Sequence, residues 1–116
     1  MSIERIHTSE RMSQIVVYGD TVYLAGQVAS GAPNESVATQ TKDILNKIDG
    51  YLAEAGTDKS KLLSATIWIA DMSNFAEMNS IWDSWVSPGK TPCRACVEAK
   101  LASDSYNVEI MVTAAR

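Results

Sequence analysis

Apolar and polar residues change their spacing along the chain, and the changes mark its elements. Strand-like runs occupy Ile3 to His7, Gln14 to Tyr18 and Thr21 to Val28. Gly19-Asp20 between the second and third reads as a tight hairpin turn. Ser30-Gly31-Ala32-Pro33-Asn34 is built of turn formers and predicts a loop. The period then lengthens. Val37, Thr41, Ile44, Leu45, Ile48 and Leu52 recur at helical spacing, predicting a helix over about 37–55, capped by Ser36 and stopped by Gly56. Gly50 weakens that helix by about 1 kcal/mol.

Leu62 to Ala70, LLSATIWIA, is apolar and β-branched and predicts a central strand. A second helix, capped by Ser73, runs to about Val86, with Phe75, Met78, Trp82 and Trp85 on one stripe. Ser87-Pro88-Gly89 ends it. Strands over 94–101 and 107–114 follow, joined by a short polar loop. Two amphipathic helices cannot cover both faces of such a sheet, so the economical arrangement is an α+β layer pair with the helices on one face. The other sheet face is then solvated or buried against a partner. Met111 and Cys96 fall on it, and a chain this short buries only about two-thirds of its unfolded surface alone, which favours a partner.

Pairing the last two strands as a hairpin puts Ala95, Val97, Ala99 and Leu101 on the core side with Val108, Ile110, Val112 and Ala114. Arg94, Cys96, Glu98 and Lys100 then share the opposite face with Asn107, Glu109, Met111 and Thr113. This register sets Glu98 against Glu109 and Arg94 against Thr113. It leaves Arg94 and Glu109 about 13 Å apart along the ladder, so they meet only around a shared small molecule, through water or across a subunit boundary.

Composition narrows the function. The 116 residues suit one domain, 1–116, and 46% hydrophobic with 21% charged residues is ordinary for a soluble globular protein. A net charge of −4 and a pI near 4.8 argue against a nucleic-acid footprint. Scattered lysines and arginines argue against an anionic membrane surface. No run reaches the length of a membrane span, and the N-terminus has no apolar signal core, so a cytoplasmic setting is expected.

Cys93 and Cys96 lie three apart on a strand and point to opposite faces, too far for a disulfide. They follow Pro92 into a strand rather than opening a helix, unlike a thioredoxin-type pair. With only His7 far upstream, no metal set is expected. Small, partly buried thiols are the simpler reading, and His7 reads as structural or solvated. Arg94 is the more interesting residue. A guanidinium at the mouth of a strand can grip both oxygens of a carboxylate, although an ordinary surface ion pair is the plain alternative.

Three segments together resemble the RidA (YjgF) family. They are Pro92-x-Arg94-x-Cys96-Val97-Glu98 with Leu101 and Val108-Glu109-Ile110; Gly19-Asp20-Thr21-Val22-Tyr23-Leu24-Ala25-Gly26-Gln27-Val28; and Asp71-Met72-Ser73-Asn74-Phe75-Ala76-Glu77-Met78-Asn79. The likeness is colinear over almost the whole chain. It implies a chorismate-mutase-like mixed β-sheet with two α-helices packed on one face, a homotrimer, and ligand clefts between subunits. It also implies hydrolysis of reactive 2-imino acids or their enamine tautomers to 2-keto acids and ammonia, a protective disposal that needs no cofactor.

Carried over by position, Arg94 would bind the substrate carboxylate and Glu109 would orient or activate water. The Cys96 backbone, Gly26, Ala25 and Asn79 would border the cleft. Bland roles stand beside these: an ion pair for Glu109, a packed amide for Asn79, close packing for Gly26, and core or subunit packing for Trp82 and Trp85. The chain departs from the family pattern at Met12, where a tyrosine is usual, at Ala25, where a serine is usual, and in its Trp82-x-x-Trp85 pair. Gln27 and Arg11 are polar candidates to substitute. These departures imply a divergent paralogue, either an imine deaminase of altered preference or a trimeric binder of small carboxylates without turnover. The ribonuclease or translation-inhibitor role attributed to some relatives fits poorly with the acidic charge.

Overall fold

Ser36 accepts a hydrogen bond from the Thr39 N–H (3.1 Å), and this cap starts helix α1 (Val37–Glu54). At its other end Gly56 takes φ +80°, a conformation that costs glycine little. The computed structural model describes residues 1–116. Strands β1 (Ile3–Thr8), β2 (Ser13–Tyr18), β3 (Thr21–Leu24) and β4 (Gln27–Val28) precede α1. Strand β5 (Leu62–Ile69), helix α2 (Phe75–Trp85), β6 (Cys93–Glu98) and β7 (Val108–Ala115) follow it. The cap before α2 differs from expectation. Asp71, not Ser73, accepts from a backbone N–H (Ser73, 2.9 Å) and opens a short 3-10 turn that leads into the helix. The Ser73 side chain, and then that backbone bond, hold the Asp71 carboxyl below its ordinary pKa.

The strands form one mixed sheet in the order β1-β2-β3-β7-β5-β6, with β4 also pairing β7. Both helices cover one face. Ile44, Leu45, Ile48 and Leu52 of α1, with Met78 and Trp82 of α2, meet Ile15, Val22, Ile67, Ile69, Val108 and Ile110 of the sheet in one buried cluster. Each fully buried large aliphatic contributes about 1.5–3 kcal/mol, so the expected α+β layering follows from the two periodicities. Phe75 departs from the expected stripe: it is 37% exposed and lies at the edge of the core.

The hairpin expected between the last two strands does not form. Strand β5 lies between them, parallel to β6 and antiparallel to β7. A parallel pair needs a crossover, which α2 supplies. The apolar β5 takes a central place, and the polar β6 takes the edge. The side-chain faces of β6 are therefore the reverse of expectation. Arg94, Cys96 and Glu98 pair with the buried Ala65, Ile67 and Ile69, so they share the helix side. Ala95 and Val97 face the open side instead.

The long strand expected over 21–28 is also broken. From Tyr23 to Gln27 the chain advances four residues while its partner moves three, from Thr113 to Ile110. The extra residue is a bulge at Ala25-Gly26, and it reverses the side-chain alternation. Gln27 therefore turns inward. It is 5% exposed and donates to Gln14 Oε1 (2.8 Å) and to the Ala25 carbonyl (3.1 Å). His7 is exposed yet held: its ring lies 5.7 Å from that of Tyr51, and Nε2 is 2.6 Å from Glu54 at the end of α1.

Candidate functional site

Arg94 leaves the edge strand towards α2. Its Nη1 donates to Asn79 Oδ1 at 2.8 Å. Its guanidinium carbon lies 5.4 Å from the centre of the Trp82 ring and 5.8 Å from that of Phe75. Residues 75, 79 and 82 sit at i, i+4 and i+7, one face of the helix, so α2 presents an aromatic, an amide and an aromatic together. The arginine is exposed, and Asn79 engages only part of its fork, so further N–H donors face outward. An anchored yet accessible guanidinium suits a carboxylate.

Cys96 lies two residues on, half-buried against the core. Burial raises its thiol pKa and Arg94 offsets this in part, so at neutral pH the sulfur stays protonated. Its backbone faces elsewhere. Ala99 N–H donates inward to the Ile69 carbonyl (3.0 Å), and strand alternation turns the Cys96 N–H to the free edge. Glu98 accepts from the Met72 N–H at 2.9 Å, tying the start of the α2 turn to the edge strand. Cys93 points the other way, with Sγ 3.2 Å from the Leu63 carbonyl, and both cysteines are free. No group of three or more His, Cys, Asp or Glu side chains is placed to hold a metal ion.

Glu109 occupies the other face. It pairs with Val28 and Trp68 in the middle of the sheet and is half-buried. It takes no part in the three ion pairs of the chain, so neither Lys100 nor Arg116 neutralises it. Its carboxylate lies over the bulge: a Cβ built on Gly26 would sit 2.3 Å from Glu109 Oε2. Gly26 is thus needed for close approach, which is the chemistry of a pocket wall as much as of packing. Ala25 is half-buried beside it, its N–H donating to the Gln14 carbonyl (2.9 Å).

The residues picked from sequence therefore gather in two places. Arg94, Asn79 and Cys96 lie together at the outer edge on the helix side. Glu109, Gly26 and Ala25 lie together on the open face. The register separates Arg94 from Glu109 by two strand spacings and three residues, about 10 Å each way, on opposite faces. One chain cannot bring them to one small molecule. The two proposed substitutes are also placed apart: Gln27 is turned inward, and Arg11 lies with the exposed Met12 at the β1–β2 hairpin.

Sequence reasoning missed Phe75 as a wall for Arg94, Trp68 beside Glu109, and Gln40. Buried Gln40 accepts from Asn107 N–H (2.8 Å) and donates to the Ser105 carbonyl (3.0 Å), fixing the chain where β7 begins. A glutamine on the apolar stripe of α1 was the available signal.

The open face has few charges. Tyr18, Tyr23, Met111 and Val97 are 39–48% exposed there, beside Thr66, Trp68 and Thr113. No helix of the chain is long and apolar enough to cross a membrane.

This is an α+β protein with a mixed sheet covered by helices on one side only. The family model described as Endoribonuclease L-PSP matches residues 2–116. A RutC family protein of Haemophilus ducreyi is 43% identical over 97% of this chain and 96% of its own length. The RutC family protein YoaB of Escherichia coli K12 is 39% identical over 99% of both chains. The crystal structure of a YjgF-family protein from Neisseria meningitidis superposes with a TM-score of 0.96 at 45% identity, covering 100% of this chain and 96% of that one. The chain belongs to the YjgF/RidA family.

Proposed function

We propose that the protein hydrolyses reactive 2-imino acids, or their enamine tautomers, to 2-keto acids and ammonia. It would do so as a homotrimer whose clefts join the Arg94 edge of one subunit to the Glu109 face of the next. The observation that carries this reading is Arg94, braced by Asn79 and Trp82 with part of its fork free. The opposite placement of Glu109 supports a shared cleft, because a second copy is the simplest source of the missing half. The open face, which carries few charges, supports burial against that copy.

In this reading Arg94 binds the carboxylate, and the outward Cys96 N–H lies alongside. Glu109 takes a proton from water as its oxygen adds to the C=N carbon, giving a carbinolamine. The proton returns to nitrogen, the C–N bond breaks, ammonia leaves, and the hydroxyl proton is lost as the C=O forms. A protonated imine is already electrophilic, so positioning and one acid–base group suffice, the latter contributing about 10²–10⁴-fold. The Cys96 thiol, held protonated, has no part in bond making.

A second reading rests on Met12 and Ala25, which supply no hydroxyl: a trimer that holds small carboxylates without turnover. To choose, an imine is generated in situ with an amino-acid oxidase and trapped with semicarbazide. The protein is expected to lower the trapped imine, and Arg94→Ala to lose that effect. Full activity in Arg94→Ala would sink the assignment. Keto-acid binding by calorimetry with no loss of imine would select the binder.

A further inference from the structure

We infer that the groove between α1 and α2 is a second binding site, for a small aromatic carboxylate. The groove is open to solvent and has a volume of about 300 Å³, at the low end of small-molecule sites. Its apolar lining is Leu45 and Ile81, with Trp85 as a wall. Two lysines, Lys42 and Lys59, line it with Asn46 and Ser84, and no carboxylate residue lines it. In a chain of net charge −4 this is a local excess of positive charge.

The walls are preformed. The Trp85 indole N–H donates to Asp49 Oδ2 (3.1 Å), which fixes the ring and engages that carboxylate. Trp85 also packs at 5.4 Å against Trp82, and the Lys59 ammonium lies 5.3 Å from the centre of its ring. An anion whose body was purely polar would leave the apolar lining unused, and a neutral aromatic would leave both ammonium groups unanswered. A flat ring ending in a carboxylate satisfies both. The groove lies on the helix side, away from the open sheet face, and shares none of its lining residues with Arg94, Asn79 or Glu109.

The test is an amide and indole NMR titration of the intact protein with benzoate as the probe and inorganic phosphate as the control. Benzoate is expected to shift the Trp85 indole N–H and the amides near Lys42, Asn46 and Ser84, and to do so equally in Arg94→Ala, which separates this groove from the proposed catalytic cleft. The double variant Lys42→Gln/Lys59→Gln is expected to bind about tenfold or more weakly, the equivalent of about 1.4 kcal/mol. Its unperturbed spectrum elsewhere would show that it is folded. No shift at Trp85 up to high millimolar benzoate, unchanged affinity in the double variant, or equal shifts from phosphate would each overturn the proposal.

Discussion

The two halves of the proposed cleft are built on opposite physical terms. Arg94 stands on an edge strand, yet its side chain is tied down by an amide and lies against two aromatic rings. Glu109 stands on a central strand, yet its carboxylate is outside every ion pair of the chain and lies over Gly26. Edge strands ordinarily carry mobile polar side chains, and central strands carry packed ones. The inversion teaches that the fold fixes the proposed binding group in advance and leaves the proposed proton-transfer group open to whatever docks on the sheet.

The sharpest way to break this contrast is to separate the halves genetically. Arg94→Ala and Glu109→Gln homo-oligomers are each expected to lose about 10²–10⁴-fold in imine hydrolysis, the first with loss of keto-acid binding and the second with binding retained. Unfolded together and refolded as mixed assemblies, they should recover a substantial fraction of wild-type turnover, because some clefts then join an intact arginine edge to an intact glutamate face. A mixture no more active than its parents would mean that the two residues never share a cleft.

A smaller effect is expected at the bulge. Gly26→Ala puts a methyl group 2.3 Å from Glu109 Oε2, so the carboxylate must swing aside. Turnover is expected to fall about tenfold, a change of about 1.4 kcal/mol in the barrier. Thermal unfolding should move little, because the carboxylate is a flexible end rather than backbone. An unchanged kcat would show that the position of the carboxylate over Gly26 is irrelevant.

The smallest effect concerns the thiols. Burial raises the Cys96 pKa, so the reactive thiolate forms later as pH rises than it would on an unperturbed thiol. Iodoacetamide at neutral pH is expected to modify the exposed Cys93 first, with Cys96 following only as the solution becomes alkaline, read by peptide mass spectrometry. Rapid modification of Cys96 at neutral pH would reopen a nucleophilic role for it.

Both helices, the Ser36 cap and the central β5 were legible because each rests on local periodicity or on a single side-chain bond. The place of β6 was not. Alternation along Arg94 to Leu101 is equally compatible with a hairpin to β7 and with a parallel partner, and only the α2 crossover decides between them. The error reversed the face of Arg94, although its separation from Glu109 was expected. The bulge at Ala25-Gly26 was likewise hidden, since an unbroken strand and a bulged one share the same composition. Its consequence was large: Gln27, a candidate for the cleft, is committed to the Gln14 amide. The family signature pointed to Arg94, Asn79, Gly26 and Glu109 without the register that explains how they are divided.

The paired indoles carry a practical dividend. Trp82 and Trp85 are 5.4 Å apart and inclined at 48°, close enough for their excited states to mix, while the guanidinium lies over one ring and an ammonium over the other. Circular dichroism in the near ultraviolet is therefore a label-free optical gauge of the surroundings of both cations at once, read through one coupled chromophore pair.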